Sequence, residues 1–205
     1  MFDIDVTFVM ISRLGSLVAS SVCAAFCFAP LTGQTRPALM TDVIEASDVK
    51  AAVSGWCDAL LAISKAHKQG GIKKSKPLAA KVIDAAYAYQ LGPVGFKPTW
   101  AKGDTTYRET REGAISYFVG DNPSFNDIGY AIGSPSAVRA PWVKCVPEFA
   151  VIQSFGNTAN VSVRVHFEAA DGYKSTADKT FGYVRDDDRN LRIVVHHSST
   201  PFAGI

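Results

Sequence analysis

The sequence predicts an α+β domain in which N-terminal helices pack on a strongly curved antiparallel sheet, a cone-shaped arrangement with one pocket at its open end. Three observations support this prediction. Apolar residues recur every three or four positions as far as Tyr89, apolar and polar residues alternate over Asn160–Ala169, and no internal repeat divides the chain. Helices that precede a run of antiparallel strands gather on one face of the sheet. We therefore expect a single domain over residues 37–205.

The composition is that of an ordinary globular protein and excludes one class of partner. Of the 205 residues, 47% are hydrophobic and 20% are charged, and the formal net charge is +2. A domain that binds nucleic acid carries a basic patch or stripe, and no such run of charge occurs here. The small group of lysines at positions 73, 74 and 76 is attributed to a solvated loop. We therefore expect no nucleic-acid partner.

Residues 1–36 have the character of a signal peptide and a linker. Arg13 precedes a stretch without charge from Leu14 to Leu31, and a small, polar segment follows. This order is typical of a secretory signal. An uncleaved membrane anchor is the competing interpretation, because the stretch approaches the length of a membrane span. We expect cleavage, no membrane span in the mature chain, and export, to the periplasm if the source is a Gram-negative bacterium.

Two amphipathic helices are predicted in the first part of the domain. Apolar residues recur at helical spacing over Asp42–His67 and again over Pro77–Tyr89. Gly70 and Gly71 end the first helix, and proline suits the first turn of the second. Both helices are expected to present one apolar face to the sheet.

Beyond these helices the pattern changes to that of strands. Four strands are predicted from short apolar runs: Phe96–Thr99, Gly113–Val119, Gly129–Ile132 and Trp142–Ala150. Three strands are predicted from clearer signals: Asn160–Ala169, Lys174–Arg185 and Leu191–Ser199. Asp171 and Gly172 form the turn of a hairpin between the first two of these. In Asn160–Ala169, the polar row that includes His166 is expected to face solvent.

The four cysteines do not form a metal-binding pattern. Cys23 and Cys27 lie inside the predicted signal, whereas Cys57 and Cys145 are far apart and lack Cys-x-x-Cys spacing. In an oxidising compartment the last two could pair as a disulfide. We favour the interpretation that they are two buried thiols.

The last predicted strand carries the densest group of chemically active side chains. A strand period of two places five residues on one face: Leu191, Ile193, Val195, His197 and Ser199. The apolar start of this row predicts that it packs against the helices, so His197 and Ser199 are expected to point into the pocket. His196 and Ser198 are expected on the opposite face.

Other kinds of site find little support. The sequence lacks the Gly-x-Ser-x-Gly motif of a serine hydrolase. Adjacent histidines on one strand face opposite ways, so His196 and His197 cannot bind one metal ion together. Tyr117 shares a face of its predicted strand with apolar residues, and a buried hydroxyl needs a partner. A ligand in the pocket could supply that partner.

Four short segments carry a resemblance to a known family. They are Phe96-Lys-Pro-Thr99, Ser116-Tyr-Phe-Val-Gly120, Asp178-Lys-Thr-Phe-Gly-Tyr183 and His196-His-Ser-Ser199. In this order they resemble the iota-class carbonic anhydrases, which belong to the ketosteroid-isomerase-like superfamily of cone folds. The similarity extends from about Trp56 to Phe202.

The resemblance implies a homodimer that hydrates CO2 reversibly and holds bicarbonate in its pocket. The positions that match the family's bicarbonate-binding residues are Thr99, Tyr117, His197 and Ser199. His197 is the expected general base, because imidazole exchanges a proton near neutral pH. The three hydroxyl groups are expected to donate hydrogen bonds to oxygens that gain negative charge. His196 and Ser198 are expected to support this site or to bind substrate.

The resemblance also bears on cofactors and on alternative functions. Family members are described both as metal-free and as working with manganese or zinc. We expect catalysis without a tightly bound metal, because the histidines and cysteines lack metal-ligand spacing. The alternative is a non-catalytic cone-fold protein that binds a small ligand or assembles into oligomers.

Overall fold

The computed structural model describes residues 43–202 and residue 204. Its helices are α1 (Ala46–Gly70), α2 (Ile72–Ala86) and α3 (Arg111–Val119), and its strands are β1 (Gly95–Lys97), β2 (Trp142–Phe155), β3 (Thr158–Ala169), β4 (Lys174–Arg185) and β5 (Leu191–Ser199). The strand order is β1-β5-β4-β3-β2, with β1 parallel to β5 and the other neighbours antiparallel. The α+β prediction is confirmed. The predicted signal peptide and its boundary with the domain lie outside the described residues.

α1 and α2 form where the sequence predicts helices, with one difference at their junction. In α1, Val49 and Val53 are buried on the face that packs on the sheet. α2 begins at Ile72, so Pro77 lies inside the helix and not in its first turn. Only Gly71, with φ of 62°, separates the two helices, and glycine adopts this conformation without strain. The lysines predicted in a loop are therefore helical.

None of the helices described by the structure is long and apolar enough to cross a membrane.

α3 occupies a segment that the sequence analysis predicted as a strand. All seven residues of 113–119 are buried, and a short run that is apolar on every side does not distinguish a strand from a buried helix. The Thr110 hydroxyl accepts a hydrogen bond from the Gly113 amide, and Gly120, with φ of 73°, ends the helix. These capping signals are the ones that identify a helix. Tyr117 therefore projects from a helix.

The strand predicted at Gly129–Ile132 is also absent from the described structure. The amides of Tyr130 and Ala131 instead donate hydrogen bonds of 2.8 Å to the carbonyls of Tyr117 and Phe118. The last carbonyls of a helix need such partners from outside the helix. This segment therefore holds the end of α3 in place.

β3 and β4 form the hairpin that the sequence predicts. The residues of β3 alternate between buried and exposed positions, with Val163 and Val165 facing the helices. His166 is on the exposed face, where its Nε2 atom lies 2.8 Å from a carboxylate oxygen of Glu148. The predicted solvent face of this strand is confirmed.

A β-bulge interrupts the alternation of β5. The pairing with β4 changes from Ile193 opposite Tyr183 to Val195 opposite Gly182, so Val194 is an extra residue in the strand. Such a bulge reverses the side of the sheet to which each later residue points.

The predicted orientation at the end of β5 is therefore wrong. His196 and Ser198 are each 1% exposed and face the helices. His197 is exposed and Ser199 is half-buried on the opposite face of the sheet. The physical reason is the bulge, which the simple period of two does not include.

A disulfide joins Cys57 of α1 to Cys145 of β2. The favoured interpretation of these residues as thiols is wrong. The two residues are 88 positions apart in sequence, but their Cα atoms are 5.3 Å apart, because α1 packs across β2. The pairing depends on this tertiary contact, which the sequence does not show.

Candidate functional site

A group of polar side chains lies inside the domain between the helices and the sheet. Its members come from the ends of α2 and β1 and from α3, β4 and β5, and they are buried or half-buried. We call the following residues the polar cluster: Tyr87, Thr99, Tyr117, Lys179, His196 and Ser198. Buried polar groups are costly unless they are hydrogen-bonded, so their convergence indicates a functional site.

Ser198 is at the centre of the polar cluster. Its hydroxyl accepts a hydrogen bond of 2.8 Å from Nζ of Lys179, which lies opposite it on β4. The same hydroxyl is 2.6 Å from the hydroxyl of Thr99. The backbone carbonyl of Ser198 accepts a hydrogen bond of 2.9 Å from Nζ of Lys97 in β1. The Nζ atoms of two lysines therefore converge on one serine.

His196 is held rigidly among aromatic rings. Its imidazole is stacked between Phe96 and Phe181, with ring centroids 4.5 Å and 4.4 Å away. Its Nδ1 atom is 2.9 Å from the hydroxyl of Tyr87, which in turn accepts a hydrogen bond of 3.2 Å from the indole N–H of Trp56.

These contacts favour one tautomer of His196. The Trp56 indole can only donate, so the Tyr87 hydroxyl accepts from it and directs its own proton to Nδ1. The imidazole proton is then on Nε2, which lies 3.4 Å from Nζ of Lys179. Burial lowers the pKa of His196 well below its ordinary value, and the nearby Lys179 lowers it further. The ring is therefore neutral at neutral pH.

Lys179 is the least expected member of the polar cluster. It is 3% exposed, and its Nζ atom lies 4.7 Å from the ring centroid of Trp56 and 5.6 Å from that of Tyr130. Burial lowers the pKa of Lys179 to about 7, and the charge of Lys97 acts in the same direction. Near neutral pH the side chain is therefore close to the midpoint between amine and ammonium.

Tyr117 presents a hydroxyl that lacks a partner within the described residues. Its ring packs against Phe96 and Tyr130, with ring centroids 5.5 Å and 5.4 Å away. Burial raises the pKa of Tyr117 above its ordinary value, while the nearby Thr99 hydroxyl and the backbone amides of Thr99 and Trp100 act in the opposite direction without reaching hydrogen-bond geometry. The phenol stays protonated and is available as a hydrogen-bond donor to a bound molecule.

A cavity of about 290 Å³ opens beside Tyr117 and Tyr130. Asp127 is on its wall, where its carboxylate accepts hydrogen bonds of 2.7 Å each from Arg108 and Ser116. Because Arg108 neutralises Asp127, the polar cluster contains Lys179, contacts Lys97 and faces no free carboxylate among the described residues. The site therefore suits a small molecule that carries or develops negative charge.

The structure brings together four of the six predicted site residues: Thr99, Tyr117, His196 and Ser198. Their roles in catalysis are predictions. His197 and Ser199 are on the other face of the sheet, beside Arg164 and Asp178.

Lys179 was missed by the sequence analysis. It stands between Ala177 and Phe181 in the row of β4 that faces the helices. A lysine in an otherwise apolar row is the signal that identifies it, because lysine is rarely fully buried without a reason.

Within the described residues, no three His, Cys, Asp or Glu side chains come together as a metal site requires. The polar cluster offers instead hydroxyl, amine and imidazole groups. Hydroxyls are suitable hydrogen-bond donors to an oxyanion, and a buried amine can bind an anion or exchange a proton.

Comparison with known proteins identifies the family. The sequence profile of metal-independent carbonic anhydrases matches residues 47–200. The chain therefore belongs to the metal-independent carbonic anhydrase family. The predicted resemblance and the predicted enzyme class are confirmed, and the family's description agrees with the expected lack of a metal cofactor.

Two relatives show how far the similarity extends. A metal-independent carbonic anhydrase from Nostoc sp. strain PCC 7120 is 39% identical over 194 residues, which cover 94% of this chain and 91% of the relative. The crystal structure of the iota-carbonic anhydrase from a cyanobacterium, complexed with bicarbonate, is 42% identical. It superposes with a TM-score of 0.75 and covers 81% of this chain and 98% of that chain. Sequence and fold therefore agree on the assignment.

Proposed function

We propose that the chain catalyses the reversible hydration of CO2 to bicarbonate within the polar cluster. The observation that carries this proposal is the unpartnered, buried hydroxyl of Tyr117 beside a group of further donors that includes Lys179. A planar anion such as bicarbonate supplies the acceptors that this arrangement lacks. The complex of the cyanobacterial relative with bicarbonate supports the same conclusion.

The hydroxyl groups and His196 have separate roles in this proposal. Tyr117 and one hydroxyl of the Thr99–Ser198 pair donate hydrogen bonds to the oxygens of CO2 as these gain charge on the way to bicarbonate, while the other hydroxyl of the pair donates its proton to its partner. His196 orients the site, because its neutral ring is fixed by stacking and by Tyr87. Ser198 thus takes the hydrogen-bonding role that the sequence analysis gave to Ser199, whereas His196 orients the site and does not take the general-base role that was given to His197.

A matched pair of tyrosines tests the proposal. Tyr117 and Tyr183 are both buried, and neither hydroxyl has a partner among the described residues, but Tyr183 is outside the polar cluster. Tyr117→Phe should lower kcat for CO2 hydration by roughly 10²-fold, as loss of one charge-stabilising donor typically does. Tyr183→Phe should keep the wild-type rate. Equal rates for both variants, measured by stopped-flow hydration, would contradict the proposal.

Metal independence is tested on the same protein. After exhaustive chelation, wild-type protein should hydrate CO2 at an unchanged rate, because the groups proposed to stabilise charge are side-chain donors. Loss of the rate on chelation, with recovery on adding manganese or zinc, would contradict this part of the proposal.

We propose further that the chain is exported with cleavage of the segment before the domain. The uncharged stretch Leu14–Leu31 supports this, and so does the disulfide between Cys57 and Cys145, since disulfides persist in oxidising compartments. N-terminal sequencing of protein recovered from the periplasm of a Gram-negative host should show a shortened chain. An intact N-terminus would overturn the cleavage.

We propose that the enzyme is a homodimer, as its resemblance implies. Val146, Val151 and Phe155 are exposed along β2, which is an edge strand of the sheet formed by the described residues, and edge strands can pair with a second chain. Light scattering coupled to size-exclusion chromatography should give twice the mass of the mature chain. A monomer mass at micromolar concentration would contradict this.

A further inference from the structure

We propose that Lys179 accepts the proton of the attacking water and then pairs with the bicarbonate that forms. This role deepens the proposed function and rests on it. It adds a group with acid–base capacity to a cluster whose other members are hydroxyls and a neutral imidazole.

Burial without a counter-charge is the first observation. Lys179 is 3% exposed, and no described carboxylate lies within ion-pair distance of its Nζ atom. A buried cation without an acidic partner is strongly unfavourable, so such a lysine tends to become a neutral amine or to bind an anion. In the proposed cycle Lys179 does both in turn.

The groups facing Lys179 favour the neutral amine while the site is empty. They come from α1, the loop after α3, β1 and β5, and they are Trp56, Tyr130, Lys97, His196 and Ser198. None of them carries negative charge at neutral pH. The charge of Lys97 and the Nε2–H of His196 both oppose an ammonium group at Nζ. Bound bicarbonate would favour the ammonium form of Lys179, because it adds a negative charge beside Nζ.

The proton transfer can be written as a balanced step. The oxygen of a water molecule bonds to the carbon of CO2, and one C=O electron pair moves onto the oxygen it joins. The proton lost by the water passes to the lone pair of neutral Nζ, which leaves bicarbonate beside an ammonium ion. The ammonium then releases this proton to a buffer base as bicarbonate departs.

Lys179 fits this role better than His196 for a physical reason. Both nitrogens of His196 are engaged in the arrangement set by Tyr87, because Nδ1 accepts a hydrogen bond from the Tyr87 hydroxyl and Nε2 carries the ring proton. Burial also lowers the pKa of His196 well below its ordinary value, whereas that of Lys179 is about 7. A proton acceptor is most effective when its pKa is near the working pH.

Two substitutions separate the proton-accepting role from the charge. Lys179→Met removes both charge and base with little change of shape, and Lys179→Arg keeps the charge but cannot be deprotonated in a protein. Lys174→Met, on the exposed part of the same strand, is the control. Hydration rates are measured from about pH 5.5 to 9, and binding of ¹³C-bicarbonate is measured by NMR.

We expect wild type and Lys174→Met to gain activity with a midpoint near pH 7, because the deprotonated amine is the active form. Lys179→Met should lose about 10²-fold or more in kcat and most of its bicarbonate binding. Lys179→Arg should lose as much in kcat while keeping bicarbonate binding within about tenfold. NMR titration of the Lys179 side chain should show a midpoint near 7 that rises when bicarbonate is added.

Several results would overturn the inference. The first is a Lys179 variant that hydrates CO2 within about threefold of the wild-type rate. The second is a Lys179 variant whose hydration activity still increases through pH 7. The third is a titration midpoint above about 10 for the Lys179 side chain. If Tyr117→Phe lowers the rate in the same experiments, the proposed function stands and only the role of Lys179 fails. Wild-type protein without hydration activity would overturn both.

Discussion

β5 carries two interleaved His-x-Ser pairs that differ only in the side of the sheet they face. His196 and Ser198 face the helices, where His196 lies between two aromatic rings and Ser198 contacts Lys179. His197 and Ser199 face outwards, and His197 is exposed. The same two residue types thus occur one position apart in a dry, crowded setting and in a solvated one.

This difference shows that residue type alone does not define the site. Burial shifts the pKa of His196 downward and lets a nearby amine interact strongly with a bound anion, because the local dielectric constant is low. On the outer face, water competes for every hydrogen bond and screens charge. The inner pair is expected to be required for activity, and the outer pair serves as its natural control.

The largest difference is expected for the two histidines. His196→Ala removes a ring stacked on Phe96 and Phe181 and leaves the Tyr87 hydroxyl without its partner, so it should cost about 2–4 kcal/mol of unfolding free energy. His197→Ala should cost less than about 0.5 kcal/mol, as exposed substitutions usually do. Urea unfolding followed by tryptophan fluorescence measures both. Similar losses would mean that the two faces are not distinct in solution.

Substitution of the two serines should affect kcat very differently. Ser198→Ala removes a hydroxyl bound to Lys179 and Thr99, so kcat for CO2 hydration should fall roughly 10²-fold. Ser199→Ala should remain within about twofold of wild type, because its hydroxyl is outside the polar cluster. Stopped-flow assays of both variants test this. A greater loss of kcat for Ser199→Ala than for Ser198→Ala would show that the active site is on the outer face of the sheet.

A smaller effect, of opposite sign, is expected on stability at Lys179. Replacing this buried amine by methionine should stabilise the fold by about 1–3 kcal/mol at pH 6, since apolar replacement of buried charge is often favourable. The folded-state pKa of about 7 is below the ordinary value, so the wild-type penalty is complete below pH 7 and disappears towards pH 10. The stability difference between variant and wild type should therefore shrink as pH rises. A constant difference from pH 6 to pH 9 would contradict this account.

The smallest effect tests the bulge that separates the two pairs. Deleting Val194 removes the extra residue of β5 and still leaves His196 facing inwards, because a regular strand would follow from Ile193. We expect this variant to fold with a loss of about 1 kcal/mol, and Val194→Ala, which keeps the bulge, to lose a similar amount. Hydration activity should persist in both. If His196 were exposed in a crystal structure of the deletion variant, the bulge would not be what determines the side of the sheet to which His196 points.

The fold could be predicted from the sequence wherever one periodicity dominates. α1 and β3 have one buried and one solvated face, so their apolar residues recur with a single period. α3 was mistaken for a strand because every residue of 113–119 is buried, and a segment without a polar face has no readable period. The caps at Thr110 and Gly120 held the missing information.

The candidate site was predicted in part for the same reason. Thr99 and Tyr117 were identified through the family resemblance, which depends on local sequence motifs and not on the side of the sheet to which a residue points. The choice between the two His-x-Ser pairs relied on strict alternation, and one bulged residue was enough to reverse it. Lys179 went unnoticed because its significance lies in what surrounds it, namely the rings of Trp56 and Tyr130 and the lack of a described acidic partner.

The sequence by itself determined the α+β class, the order of the main helices and strands, the family and the candidate hydroxyl groups. These features depend on local periodicity and on motifs, which neighbouring residues specify. Only the tertiary structure decided the disulfide between Cys57 and Cys145, the inward facing of His196, and the burial of Lys179. Each of these depends on contacts between segments far apart in the chain, and the burial that perturbs an amine or an imidazole exists only after those segments have packed together.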